Sequence, residues 1–198
     1  MPLSPPAPRR HLHDRRVICS GYQRDDGLWD IEGRITDSKT YAHEKRVGEK
    51  LPAGAPVHDM WIRITIDDGM LVHDIEAVTD ASPFHMCGDV APNFRRLIGV
   101  RIGPGWRKAV RERLGGREGC THMVELLGPL ATVAFQTLIA GRDPDRNTPE
   151  AKLRRRQSAG RRPYFIDGCH AWASDGPNIQ REFPQFYTGP ENKAETGD

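Results

Sequence analysis

Residues 119–122 read Gly-Cys-Thr-His and lead directly into a long apolar run. A thiol and an imidazole two residues apart at a helix start stand where unpaired backbone amides make the local field positive. That field favours a thiolate at Cys120 and a neutral imidazole at His122, free to act as base or ligand. With Thr121 as N-cap, His122 and Glu125 fall three apart on one helix face. The bland alternative is a small core thiol beside a half-buried histidine.

Three further groups have the residue types that chemistry needs. His58 and His73 fall on the apolar side of an alternating stretch, where an imidazole costs desolvation unless it is hydrogen-bonded. A carbonyl partner accounts for His73, whereas His58, just after Pro56, stands where a sheet end could open into a pocket. Glu32 and Glu76 are candidate general acids, and Arg63 is a candidate for stabilising developing negative charge. Tyr22, Trp29 and Trp61 would line the pocket. Finally, His85-x-Cys87 and Cys120-x-His122 supply four ligands of the kind zinc or iron takes, although their spacing is not that of ordinary structural zinc sites. Cys169-His170 is a weaker pair, since adjacent residues seldom share an ion.

The elements that must position these groups begin with two β-hairpins, each marked by Asp-Gly between alternating runs. A two-residue turn at Asp26-Gly27 pairs Tyr22 with Ile31, Ile18 with Ile35, Arg24 with Trp29 and Arg16 with Asp37, and sets Glu32 across from Gly21. The space beside that glycine would either admit a ligand or relieve crowding. A turn at Asp68-Gly69 places Leu71, His73, Ile75 and Ala77 on the side of His58, Met60, Ile62, Ile64 and Ile66, with His73 opposite Ile64. The outer side pairs Arg63 with Asp74 and Trp61 with Glu76. The connection between hairpins, 39–54, reads as exposed.

Beyond residue 92 the apolar period becomes helical: two turns in NFRRLIG, a short amphipathic helix in GWRKAVRERLGG, and a long apolar helix from Thr121 that Pro129 kinks or divides. The segment 142–163 reads as loop or frayed helix, YFIDGCHAW as β, and 188–198 as a disordered tail. The expectation is an α+β fold, a small antiparallel sheet of two hairpins packed against two to three helices. Residues 1–14 would be an extended arm and 15–187 one domain.

Composition narrows the partners. With 29 basic and 27 acidic side chains the formal charge is +2, too balanced for a general field that captures nucleic acid or anionic lipid. The Arg-rich segment 154–162 lacks interleaved aromatics and reads as solvated. GVRIGPGWRKAV lacks the lysine and the βαβ setting of a phosphate loop, and no G-x-S-x-G is present, so nucleotide binding and the common serine-hydrolase elbow are set aside. Four dispersed cysteines, no apolar leader and no stretch approaching a membrane span point to reduced thiols in the cytoplasm.

The succession of YQRDDGLWDIEGRITDSKTY, PVHDMWIRITID, GCTH and IDGCHAW resembles a bacterial family of uncharacterised proteins, domain-of-unknown-function family 2889. The resemblance implies small cytoplasmic proteins, some linked with catabolism of aromatic compounds, and carries over no catalytic residue. The leading reading is an enzyme without cofactor: an acid/base lyase, acting by retro-aldol (deformylating) or related C–C or C–O cleavage on an aromatic or apolar small molecule. His58 or His122 would be the base, Glu32 or Glu76 the acid, and Arg63 the cation. Its rivals are a zinc- or iron-binding protein using His85, Cys87, Cys120 and His122, and a non-enzymatic interaction module. A homodimer is compatible with each.

Overall fold

The computed structural model describes residues 3–45, 48–142, 148–150, 160, 162–163 and 165–190. Two long hairpins form one antiparallel sheet, whose neighbouring strands are in order β1 (His13–Gln23), β2 (Trp29–Lys39), β5 (Pro56–Ile66) and β6 (Val72–Ala81). Between the hairpins, β3 (His43–Glu44) and β4 (Lys50–Leu51) make a two-residue ladder within the segment expected to be plain loop. Helix α1 (Trp106–Leu114) follows, then α2 (Thr121–Arg142), which packs on the inner face of β1, β2 and β5. The α+β class expected from the sequence is the observed one.

The chain divides into two compact units, residues 1–142 and 143–198, where one domain over 15–187 was expected. In the second unit, Phe183 meets Phe165 and Trp172 edge to face, Phe165 and Trp172 are tilted against each other, and Ile166 and Ile179 are buried. The β character expected for YFIDGCHAW is not what forms over its described residues. Asp167 adopts φ 64° and its carboxylate accepts the Ser174 amide at 2.7 Å, which makes 165–168 a turn ahead of a short 3-10 segment, His170–Trp172. The Arg-rich segment lies outside the described residues apart from Gly160 and Arg162, as does the expected tail beyond Pro190. Thr188 is held by the backbone and hydroxyl of Ser174.

Strand alternation builds the main core. Trp29, Ile31 and Ile35 of β2 and Met60, Ile62, Ile64 and Ile66 of β5 are buried on one face. Helix α2 lays Met123, Leu126, Leu127, Leu130, Ala134 and Leu138 on that face, while α1 adds Trp106, Val110 and Leu114. Over 121–139, α2 is long and apolar enough to cross a membrane, contrary to the expectation that no stretch comes near that test. The fully buried residues along one side of it read instead as a core stripe. Pro129 lies within α2 without dividing it, although it forgoes the bond to the Glu125 carbonyl.

Both hairpins differ in register from the two-residue turns expected. In the first, the Arg24 amide donates to Leu28 O, and Gly27 takes φ 85° as the third loop residue. In the second, the Asp67 amide donates to Leu71 O, and the third loop residue Met70 takes φ 64°. Three-residue loops ending in a left-handed residue replace the primed turns. The first hairpin therefore shifts by one residue, so Arg15 rather than Arg16 faces Asp37, and Gly21 rather than Tyr22 faces Ile31. In the second hairpin Ile64 pairs with Ile75, Arg63 with Glu76 and Trp61 with Val78. His73 falls in a bulge between Val72 and Asp74, which turns it out of the core to bond the Asp67 carboxylate at 3.0 Å.

The glycine opposite a carboxylate was expected to leave space. In the true register Gly21 lies under α2, and a Cβ there would overlap the Thr137 side chain. A Cβ at Gly33 would likewise stand 3.0 Å from the Leu130 side chain. We expect Gly21→Ala to cost about 1–3 kcal/mol through overpacking, partly restored by Thr137→Ala, as read from urea unfolding. Equal stability of wild type and Gly21→Ala would show that α2 does not rest on this glycine.

Candidate functional site

At the end of the sheet where the buried isoleucines stop, the inner face becomes polar. The β2 series Trp29, Ile31, Gly33, Ile35 ends at Asp37, whose side chain is 3% exposed. The register sets Arg15 of β1 on one side of it and His58 of β5 on the other. Helix α2 begins above this row: the Val124 amide donates to Cys120 O at 2.8 Å, so Cys120 rather than Thr121 holds the cap position. His122 therefore projects from the first turn toward Asp37.

The carboxylate is heavily bonded. Its Oδ1 accepts from Arg15 Nε at 2.9 Å and lies 2.8 Å from His13 Nε2, and its Oδ2 accepts from the other arm of Arg15 at 3.0 Å. Arg15 also reaches Glu125 at 2.6 Å. His58 Nδ1 lies 3.0 Å from Asp37 Oδ2 and His122 Nε2 lies 3.9 Å from the same oxygen. The two imidazoles stack with centroids 3.7 Å apart and planes inclined by 27°. Despite its short distance, the buried His58 Nδ1 has no partner in hydrogen-bond geometry. Cys120 Sγ lies 3.9 Å from His122 Nδ1 and 3.9 Å from Met60 Sδ.

Burial pushes the Asp37 carboxyl upward, but hydrogen bonds from Arg15 and His13 and the charges of Arg15 and His58 outweigh it, and the group is held at about 2. Both imidazoles move the other way. Desolvation, then the charge of His122, lowers His58 against the pull of Asp37. Desolvation, then the charge of Arg15, lowers His122 against Asp37 and Glu125. The result is an ionised carboxylate beside two neutral, stacked bases, since two imidazolium rings in contact would repel.

The sequence expectation that His58 and His122 meet is matched by their stacking, but their assigned helpers lie elsewhere. Glu32, Arg63 and Glu76 occupy the outer face of the sheet, because Glu32 is five residues from Asp37, and Arg63 five from His58, along alternating strands. There Arg63 bonds Glu32 at 2.8 Å and Glu76 at 3.2 Å, and with Trp61 and Val78 they line a hollow of about 260 Å³. The single pocket expected from sequence is thus two places on opposite faces. Tyr22 is exposed, Trp29 is core with its Nε1 bonded to Asp68, and Trp61 carries the Arg34 guanidinium 4.5 Å above its ring. These three aromatics do not gather round the histidines.

Nor does the Cys/His quartet assemble. His85 lines a surface cleft of about 380 Å³ with Lys45, Glu49 and Asp80, Cys87 packs against the core, and only Cys120 and His122 approach one another. Among the described residues, the group able to share an ion is Asp37, His58 and His122, whose ligand atoms all lie within 4.8 Å. Sequence reasoning missed Asp37, Arg15 and His13. Asp37 had been assigned to Arg16 as an ordinary pair, yet it continues the buried series of β2, and a carboxylate in an apolar series was the available signal.

A family model described as a protein of unknown function, DUF2889, matches residues 13–136. The chain belongs to this family. No curated protein and no solved structure matches it. The DUF2889 match runs from β1 into α2 and so includes His13, Arg15, Asp37, His58, His122 and Glu125, while the whole of the second unit lies beyond it.

Linkage sets how stability follows pH. Above the ordinary histidine value of about 6.5, folded and unfolded chains both keep these imidazoles neutral. Below it the unfolded chain binds protons that the folded pair refuses, so stability falls as pH falls. Asp37 adds a second loss with the same sign, from its ordinary 3.8 down to about 2. The melting temperature should drop from about pH 7.5 to about 5.5, and drop less in His122→Gln. At neutral pH, Asp37→Asn should cost about 1–3 kcal/mol in urea unfolding, moderated by the partial exposure of Arg15 and His13. A flat melting profile in the wild type would refute the neutral pair.

Proposed function

We propose that this protein is a small cytoplasmic enzyme, a lyase that uses the Asp37, His58 and His122 cluster on an aromatic or similarly apolar small molecule. The observation that supports this reading is the stacking of two imidazoles at 3.7 Å against a buried carboxylate. Such an arrangement supplies a neutral base at ordinary pH and a counter-charge for the imidazolium it becomes. Four free cysteines suit a reducing compartment.

In a retro-aldol cleavage, one imidazole takes the proton of a substrate hydroxyl. The O–H electron pair becomes the second bond of the departing aldehyde. The C–C bond breaks and its pair moves to the carbon conjugated with the ring or carbonyl, where the imidazolium returns the proton. No oxidant or reductant enters. Asp37 holds the imidazolium, and Arg15, in place of Arg63, is the fixed positive charge nearest the histidines. The exposed edge of the cluster, formed by His13, Arg15 and His122, is where a substrate would approach.

The test is aldehyde release. Purified protein is incubated with aryl compounds carrying a hydroxymethyl group beta to a carbonyl or conjugated to a phenol, and formaldehyde is quantified. Turnover is expected, with His58→Ala and His122→Ala each losing about 100-fold or more while Arg63→Gln stays near wild type. Turnover untouched by both histidine substitutions, or none with any such compound, would exclude the reading.

A further inference from the structure

The inner-face cluster contains an atom that acid/base chemistry does not explain. His58 Nδ1 is buried and only 3.0 Å from Asp37 Oδ2, yet lies off the line that a hydrogen bond requires. A buried imidazole nitrogen left without a partner is unfavourable, so an unfilled role is expected for it. Two Lewis-basic atoms this close, with no hydrogen-bond geometry between them, could share a cation.

We propose that Asp37, His58 and His122 bind a divalent first-row transition ion. The chemistry is a carboxylate plus two imidazoles, the donor set that leaves positions open for water or substrate on zinc or ferrous iron. Donors about 2.1 Å from one ion stand about 3.0–3.4 Å apart, depending on geometry. The observed separations from Asp37 Oδ2 are 3.0 Å to His58 Nδ1 and 3.9 Å to His122 Nε2, and all three atoms fit within 4.8 Å. Closing the longer gap needs only a small rotation of His122, which lies on the first turn of α2 and is 26% exposed.

The surroundings match a ligand set as well. Asp37 Oδ1 is occupied by His13 and Arg15, which fixes the carboxylate plane and turns Oδ2 toward the histidines. Oδ2 already accepts one bond from Arg15 and keeps a second lone pair for an ion. Backbone register enforces the geometry: Asp37 and His58 are direct cross-strand partners next to a bulge, on strands held by the core. An ion here would make a bound water the proton acceptor and the cation the electrophile, with the imidazoles as its holders. The inference rests on this cluster being the functional site, and is independent of which reaction occurs there.

The experiment uses the full chain, stripped with chelator and titrated by calorimetry with Zn(II), then with Co(II), whose visible absorption reports coordination. One equivalent is expected to bind, with tetrahedral or five-coordinate Co(II) bands. His58→Ala and His122→Ala should each weaken binding at least about tenfold, whereas His85→Ala and Cys87→Ala leave it unchanged. Circular dichroism checks folding, and should His58→Ala unfold, the more exposed His122→Ala decides. No binding by the wild type, or binding unaffected by His122→Ala, overturns the proposal. Aldehyde release from stripped protein then separates the two readings. Turnover without bound metal leaves the lyase standing alone, and metal bound by the triad without turnover leaves the ion site standing alone.

Discussion

Everything at the polar end of this sheet depends on one buried anion. Asp37 is placed inside by the same alternation that buries Ile31 and Ile35, so its charge is a consequence of strand parity and not of a surface choice. A lone carboxylate at that depth would be protonated or would pull the strand out of register. Arg15 and His13 prevent both by covering Oδ1 and one side of Oδ2. The anion in turn gives β1, at the edge of the sheet, a reason to keep its register to its first residues, where few apolar side chains are buried. His58 and His122 converge on the same charge, so a stabilising pair and a histidine cluster are built from the same carboxylate.

How much of this could be read from the chain depends on what kind of information each feature carries. The two hairpins, their inner apolar faces and the two helices follow from periodicity, which is written locally. The pairing partners do not. Asp-Gly was compatible with a two-residue turn and with a three-residue loop, and the choice between them moves every partner by one. That single residue separates Arg16 from Arg15, and with it an ordinary surface pair from the counter-ion of the site. His73 was misplaced by a bulge, which leaves no sequence mark beyond an interrupted alternation. Glu32, Glu76 and Arg63 were expected to serve the histidines, although the alternation of β5 already set Arg63 on the opposite face of the sheet from His58.

The uncovered face shows what happens to similar residues without a helix above them. Arg34 bonds Asp59 at 2.8 and 2.6 Å, Arg63 spans Glu32 and Glu76, Thr65 bonds Asp30 and Trp61 bonds Asp80. These charges are answered by neighbours across the strands, in solvent that screens what remains. Such a ladder commits Arg63 to two carboxylates, Glu32 and Glu76. The inner face differs because its polar groups outnumber their mutual bonds: two imidazoles and a bonded carboxylate converge, and one nitrogen is left over.

The height of α2 above the sheet connects these observations. Gly21 and Gly33 lie under Thr137 and Leu130, where a side chain would hold the helix away from the strands. With the helix seated low along that contact, its first turn descends onto the end of the sheet, and His122 comes within stacking distance of His58. Raising the helix by the thickness of a methyl group would separate the rings, now 3.7 Å apart, and widen a 3.9 Å approach to Asp37 beyond any shared ion. Gly21 on the edge strand β1 and Gly33 on β2 thereby set the spacing of Asp37, His58 and His122. The cost of those glycines to strand propensity is offset by a helix close enough to complete the cluster.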